Sequence, residues 1–309
     1  MLSREATFLL NNLILLALAF ATLWGTMFPL ISEVFTGNKI TVGAPFFHQV
    51  NTPLFMILLL ITGICPLIGW RRASPENLKR NFILPGSLLL LTTALLVAGG
   101  MRHVYAIICF SFSTFVLVTI FMEFYRGVRA RGRLKQESPL RALVMLLLRN
   151  KRRYGGYLIH VGIVLVFIGA TGASVFVTEE VKNLSVGESM KVGDYTLKYE
   201  AIRTKEKPNY EAVVAFLSVY KGGKKVDLIA PEKRYYNKFP EEPTSEVALG
   251  RTLKEDLFVL LAAFERTGEI TVKAIINPLI NWMWIGAVFA VLGGFYVLLP
   301  DGTKKRAAP

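Results

Sequence analysis

Six stretches of this 309-residue chain are apolar enough to cross a hydrocarbon core, which takes about 20 residues of helix. They run over 6–31, 53–70, 82–100, 104–125, 157–177 and 279–299. Backbone inside a bilayer must satisfy its own hydrogen bonds, so such stretches fold as helices and the chain is predicted to be a multi-pass helical bundle. Composition agrees: 53% of residues are hydrophobic and 19% charged, against about 25% charged in soluble proteins. Disorder and a collagen-like chain are excluded. Two cysteines, Cys65 and Cys109, each within a span and without C-x-x-C spacing, exclude a disulfide framework.

The loop charges give an orientation. Residues 71–81 carry Arg71, Arg72, Lys79 and Arg80 against Glu76, and 126–156 carry ten Lys/Arg against Glu137 alone. The tail adds Lys304, Lys305 and Arg306, whereas 32–52 has only Lys39 and 101–103 only Arg102. The positive-inside rule then puts the basic loops and both termini in the cytoplasm. The net charge of +14 is thus a topology signal, and no nucleic-acid partner is expected. The polar segment 178–278 carries 16 Lys/Arg and 16 Asp/Glu, so the excess comes from elsewhere. The first apolar run is read as a span, because Asn11 and Asn12 interrupt it and it continues to Ile31, too long for a signal-peptide core.

Segment 178–278 reads as β. Runs over 195–200, 210–220, 226–229 and 270–276 are separated by turn signals, Lys221-Gly222-Gly223-Lys224 and Arg266-Thr267-Gly268-Glu269. Residues 257–264 fit a strand or a short helix equally. The expectation is a small barrel or sandwich. With no histidine, no Cys/His cluster and no Gly-rich phosphate loop, its predicted role is docking or covering rather than hydrolysis or zinc chemistry.

Polar or ionisable groups inside spans are few, and such groups are functional or packed inward. Asn11 and Asn12 are expected to face the bundle, and Glu123 lies near the inner end of the fourth span. His160 lies in the fifth, within Arg152-Arg153-Tyr154-Gly155-Gly156-Tyr157-Leu158-Ile159-His160. An imidazole there can bond another helix, carry protons or ligate a metal such as haem iron. Gly156, one turn back, could open a flat space beside it, and Arg152 and Arg153 could neutralise propionates. Equally, glycines let helices pack closely and arginines mark the inner side. His48 and His103 lie in or beside outer loops, and Trp282 and Trp284 match an interfacial aromatic belt.

Several blocks, in order, resemble one family. They are Ser3-Arg4-Glu5 with Asn11-Asn12, Gly25-Thr26 with Phe28-Pro29-Leu30, Val42-Gly43-Ala44-Pro45-Phe46-Phe47, the stretch Tyr154 to Gly162, Glu232-Lys233-Arg234-Tyr235-Tyr236-Asn237, and Trp282-Met283-Trp284 with Gly286. Together they resemble the C-terminal half of CcmF, the haem lyase component of cytochrome c-type biogenesis. The resemblance implies a protein that takes haem from a haem chaperone and attaches it covalently to apocytochrome c. It also implies a membrane-embedded haem b, reduced from quinol and held between two histidines, of which His160 matches the second. His48 is not carried over as a ligand, since the family block more often has Asn there.

The family's tryptophan-rich outer segment, its two outer histidines and its first membrane histidine have no counterpart here. The haem lyase reaction is therefore not expected from this chain without an N-terminal half, from a separate gene or from a longer protein of which this is a piece. The haem would be shared with that half.

The sequence thus predicts a polytopic α-helical membrane protein with six spans and a small outward-facing all-β domain between the fifth and sixth. Residues 1–177 form the membrane domain, 178–278 the periplasmic-side β domain, and 279–309 the last span and basic tail, in a bacterial inner membrane. Expected partners are the other lyase half, a haem chaperone, apocytochrome c and quinol. The alternative is a non-catalytic membrane scaffold that docks the chaperone or apocytochrome, with His160 only packing. A solute transporter is disfavoured by the lack of an inverted repeat and of a midplane charge.

Overall fold

A computed structural model describes residues 4–68 and 75–300. The end of the second predicted span at Trp70, the charges at Arg71 and Arg72, Ser3 and the basic tail fall outside these residues. Six helices are long and apolar enough to cross a membrane: α1 (Arg4–Thr36), α2 (Ala44–Ile64), α3 (Pro75–Ala98), α4 (Val104–Lys135), α6 (Lys151–Val175) and α7 (Ile280–Leu298). The shorter α5 (Pro139–Arg149) lies between α4 and α6. The chain is a multi-pass membrane protein carrying a β-sandwich between its last two spans.

Where each helix stops is local chemistry. Gly37, at φ +71°, ends α1, and Pro45 sits in the first turn of α2, where its missing N–H is no loss. Gly100, at φ +87°, closes α3, whose last carbonyls accept from the amides of Gly99, Gly100 and Met101. Gln136, at φ +53°, ends α4 ten residues beyond the predicted limit of that span. The basic segment 126–156 is therefore mostly helical. Charge ends a hydropathic run without ending a helix, and Arg, Lys and Leu are good helix formers.

The chain divides into two compact units, Met1–Phe167 with Gly286–Pro309, and Ile168–Ile285. In the first, α4 is the central helix: Ala106, Cys109, Val116 and Thr119 are fully buried. Gly63 of α2 lies against Phe115 and Val116 of α4, close enough that a side chain there would displace them. Thr93 of α3 and Ser111 of α4 share a hydrogen bond of 2.8 Å. Asn11 is half-buried and Asn12 exposed, so only one of the pair faces the bundle. Adjacent helical residues point about 100° apart, so the two need not be buried alike.

In the second unit, two antiparallel sheets enclose one apolar core. One has the strand order β1 (Thr178–Leu184), β10 (Ile270–Pro278), β9 (Glu255–Phe264), β8 (Ala248–Arg251). The other runs β2 (Ser189–Val192), β3 (Tyr195–Lys207), β4 (Tyr210–Lys221), β6 (Glu232–Tyr236), β7 (Phe239–Glu246), with β5 (Lys224–Ile229) also on β4. Gly222 and Gly223, at φ +57° and +77°, make the two-residue β4–β5 turn, whose central residues both need positive φ. Residues 255–264 are a strand: Leu257, Val259 and Leu261 are buried in alternation and pair with β10. That period of two is the sheet's signature.

Candidate functional site

Helix α6 presents three flanks, each decided by residue size. Gly155, Gly162, Gly286 and Gly293 bring α6 and α7 to backbone contact: a Cβ added at Gly162 would lie 2.6 Å from the Ala290 amide nitrogen. Close approach of this kind is what small residues provide inside a membrane. The second flank meets α4. Tyr154 and Tyr157 pack on Phe124, at ring-centroid distances of 4.8 and 6.0 Å. Higher up, Phe167 meets Phe55 of α2 edge-on at 5.8 Å.

The α4 flank carries a buried charge. Glu123 is 7% exposed and accepts hydrogen bonds from Arg153 and, at 3.1 Å, from the Tyr157 hydroxyl. Arg153 also donates to Tyr157 at 3.3 Å, and Arg126 lies 3.7 Å from Glu123. A carboxylate this enclosed is tolerated because opposite charge and donors surround it. Arg153 is thus engaged by Glu123 although much of its side chain is exposed, and Arg152 is exposed as well.

His160 and Gly156 lie on the third flank, one turn apart on the same side of α6. His160 is half-buried, and its Nδ1 is enclosed without a hydrogen-bond partner among the described residues. Buried polar atoms are nearly always paired, and an orphan asks for an explanation. A Cβ built on Gly156 meets nothing within 4 Å. Gly156 therefore does not serve close packing, in contrast to Gly155 beside it. The arrangement offers an unpaired imidazole nitrogen and free space one turn away.

The other sequence candidates are dispersed. His48 is exposed near the start of α2, and His103 is exposed at the N-cap of α4. Cys65 and Cys109 are unbridged. No group of three or more His, Cys, Asp or Glu could hold a metal ion among the described residues. In the β unit, the block 232–237 supplies β6 (Glu232–Tyr236) and the turn residue after it, and ties strands together. Lys233 donates to the Ala262 carbonyl at 2.6 Å, Arg234 pairs with Glu232 at 2.9 Å and Glu246 at 3.1 Å, and its guanidinium lies 4.8 Å from the Tyr210 ring centre.

Sequence reasoning did not foresee that Arg153 and Tyr157 would both close on Glu123. The available signal was the carboxylate itself, since a charge within a span needs a partner on a neighbouring span.

Comparison with known proteins joins these features to one family. The family model described as the CcmF C-terminal beta-sandwich matches residues 175–278. The cytochrome c-type biogenesis protein ccl1 of Rhodobacter capsulatus is 30% identical over all of this chain and 45% of its own length. CycK of Rhizobium meliloti is 30% identical over 99% of this chain and 45% of its own. CcmF of Escherichia coli is 25% identical over 99% and 45%. A solved structure, Cytochrome c Heme Lyase CcmF, matches with a TM-score of 0.80 at 25% identity, covering 97% of this chain and 46% of that one. The chain spans less than half the length of the relatives it matches. By sequence and by fold, it corresponds to the C-terminal half of the CcmF-type cytochrome c biogenesis proteins.

Proposed function

We propose that this chain is the C-terminal half of a cytochrome c haem lyase and contributes His160 as one ligand to a membrane-embedded haem b. In this reading the complete complex takes haem from a haem chaperone and joins it through thioether bonds to the cysteines of apocytochrome c. An N-terminal half, as a separate chain or as the rest of a longer protein, supplies the second ligand and the outer haem site. The family match carries the general assignment. The place of His160 carries the ligand assignment: it is an imidazole within a span, beside the open flank at Gly156, and because its Nδ1 is enclosed, Nε2 is the nitrogen that would meet a ligand.

The residues present fit such a group in part. His160 offers a nitrogen donor, Gly156 leaves room, and exposed Arg152 is placed to pair with a propionate; Arg153, engaged by Glu123, orients the helix. Bound there, haem would supply one-electron redox chemistry. The chain's own part is to present the imidazole at a fixed rotation. Backbone contact with α7 and the Glu123–Arg153–Tyr157 contacts on α4 set that rotation. The basic loops and termini are then cytoplasmic and the β-sandwich periplasmic, by the charge asymmetry.

The test is a reduced-minus-oxidised absorbance spectrum of the protein alone and of the complex that co-purifies from its host. A b-type signal in the complex, lost in His160→Ala, is the expected result. Absence of haem from both preparations, or an unchanged spectrum in His160→Ala, overturns the ligand assignment and favours a scaffold that docks the chaperone or apocytochrome.

A further inference from the structure

We infer that α5 is an interfacial helix that docks on anionic phospholipid headgroups beside the α4 and α6 spans. The helix has 11 residues, about 16 Å at 1.5 Å per residue, far too short to cross a bilayer. Three residues join it to α4 and Asn150 alone joins it to α6. Its start follows the ten-residue extension of α4 beyond the predicted span, and its C-terminal half returns to the level of Gly127, near where hydrocarbon gives way to headgroups.

Its faces differ in what they meet. Ala142 and Leu146 are buried, and Leu146 packs into the space left by Gly127 of α4, where a Cβ would come 2.8 Å from it. On another side Leu140, Val144 and Leu148, spaced four apart, are exposed at 73%, 46% and 52%. Such a stripe on a free helix surface is covered by something apolar.

The surrounding charge identifies what covers it. Segment 126–156 has ten Lys/Arg and one acid, Glu137, which Arg131 already holds by two hydrogen bonds of 2.7 and 3.0 Å. Arg129, Arg133, Arg141, Arg149 and Arg152 form no side-chain ion pair within 4.0 Å among the described residues, and Arg141 and Arg149 share the longer-range field of Glu137 with Arg131. An apolar stripe flanked by unpaired arginines at a membrane boundary matches acyl chains beneath negative headgroups. A protein partner would have to bring a matching excess of carboxylates to the same place. The inference stands on the basic segment and its helix, independently of the haem assignment.

The test uses the full chain with Cys65 and Cys109 replaced by alanine and a nitroxide on Val144→Cys, reconstituted in phosphatidylcholine vesicles with increasing phosphatidylglycerol. Relative collision rates with oxygen and a water-soluble nickel chelate report the label's depth, and circular dichroism checks that each variant is folded. The label is expected to move to the lipid side as phosphatidylglycerol rises. Each loss in Arg141→Gln and Arg149→Gln should raise the phosphatidylglycerol fraction needed about fivefold, the factor equivalent to about 1 kcal/mol per basic residue at an anionic surface. Arg141→Lys and Arg149→Lys should restore the response. A label that stays in water at every composition overturns the inference. So does one equally sheltered without phosphatidylglycerol, or one sheltered only after another protein subunit is added.

Discussion

The enclosed Glu123 carboxylate of α4 is met by donors from a different helix, α6. Arg153→Gln withdraws the main counter-charge and leaves the carboxylate enclosed, with the Tyr157 hydroxyl and the more distant Arg126 as company. The expected loss is about 1–3 kcal/mol, that of a buried polar group left poorly satisfied. Adding Glu123→Gln should recover part of it, because the stranded charge goes too. Thermal unfolding of the two variants in detergent checks the sign. In the sandwich, Glu255 plays a comparable part. Burial pushes its carboxyl up, but hydrogen bonds from Lys221 at 2.9 Å and Tyr195 at 3.1 Å outweigh this and hold it below its ordinary 4.5. Glu255 in turn pushes Lys221 above its ordinary 10.5. A depressed carboxylate stabilises the fold above its unfolded value, and that stability is lost as pH falls through the folded one. The raised lysine stabilises below 10.5 and loses its effect as pH rises past its folded value. Glu255→Gln should therefore lower the β-sheet melting temperature at neutral pH. The gap from wild type should narrow progressively below pH 4.5, read by circular dichroism.

At the scale of elements, neighbouring glycines of α6 have opposite duties. Gly162→Val must push α7 away or bend the helix, an overpacking cost of about 1–3 kcal/mol, because the added atoms meet the backbone of Gly286 and Ala290. Gly156→Ala should instead leave folding unharmed or gain about 0.5–1 kcal/mol of helix stability, since nothing stands in its way. The larger Gly156→Leu serves a second purpose: if His160 ligates haem, it should fold normally yet weaken the haem signal of the assembled complex. Melting curves and the same difference spectrum separate the two glycines. The spans were legible in the sequence because about 20 consecutive apolar residues have one structural solution in a bilayer. Helix α5 was not, since its 11 residues sit inside a basic segment that reads as loop. Strand β7 was hidden for another reason. Its sequence, FPEEPTSE, carries two prolines, acceptable because the strand lies last in its sheet's order and has a free edge.

The whole molecule repeats that division between pattern and partnership. Hydropathy and alternation foretold six spans and a β unit. They could not foretell which flank of α6 would be occupied, because that depends on pairings between residues 30 to more than 100 positions apart, such as Arg153 with Glu123 and Gly162 with Gly286. His160 itself was legible as an isolated imidazole in a span; its unpaired Nδ1 and the open Gly156 flank emerged only with the neighbours in place. The pairing of β1 with β10, Thr178 opposite Ile276, also fixes a timetable. The first strand of the sandwich waits for the last, so its sheet cannot close until about a hundred further residues have left the ribosome. At roughly 5–20 residues per second that is some 5–20 s of synthesis, during which α6 is complete and β1 is exposed without its partner. Nascent chains halted before residue 270 should accordingly be open to protease within β1, and those extended through α7 protected.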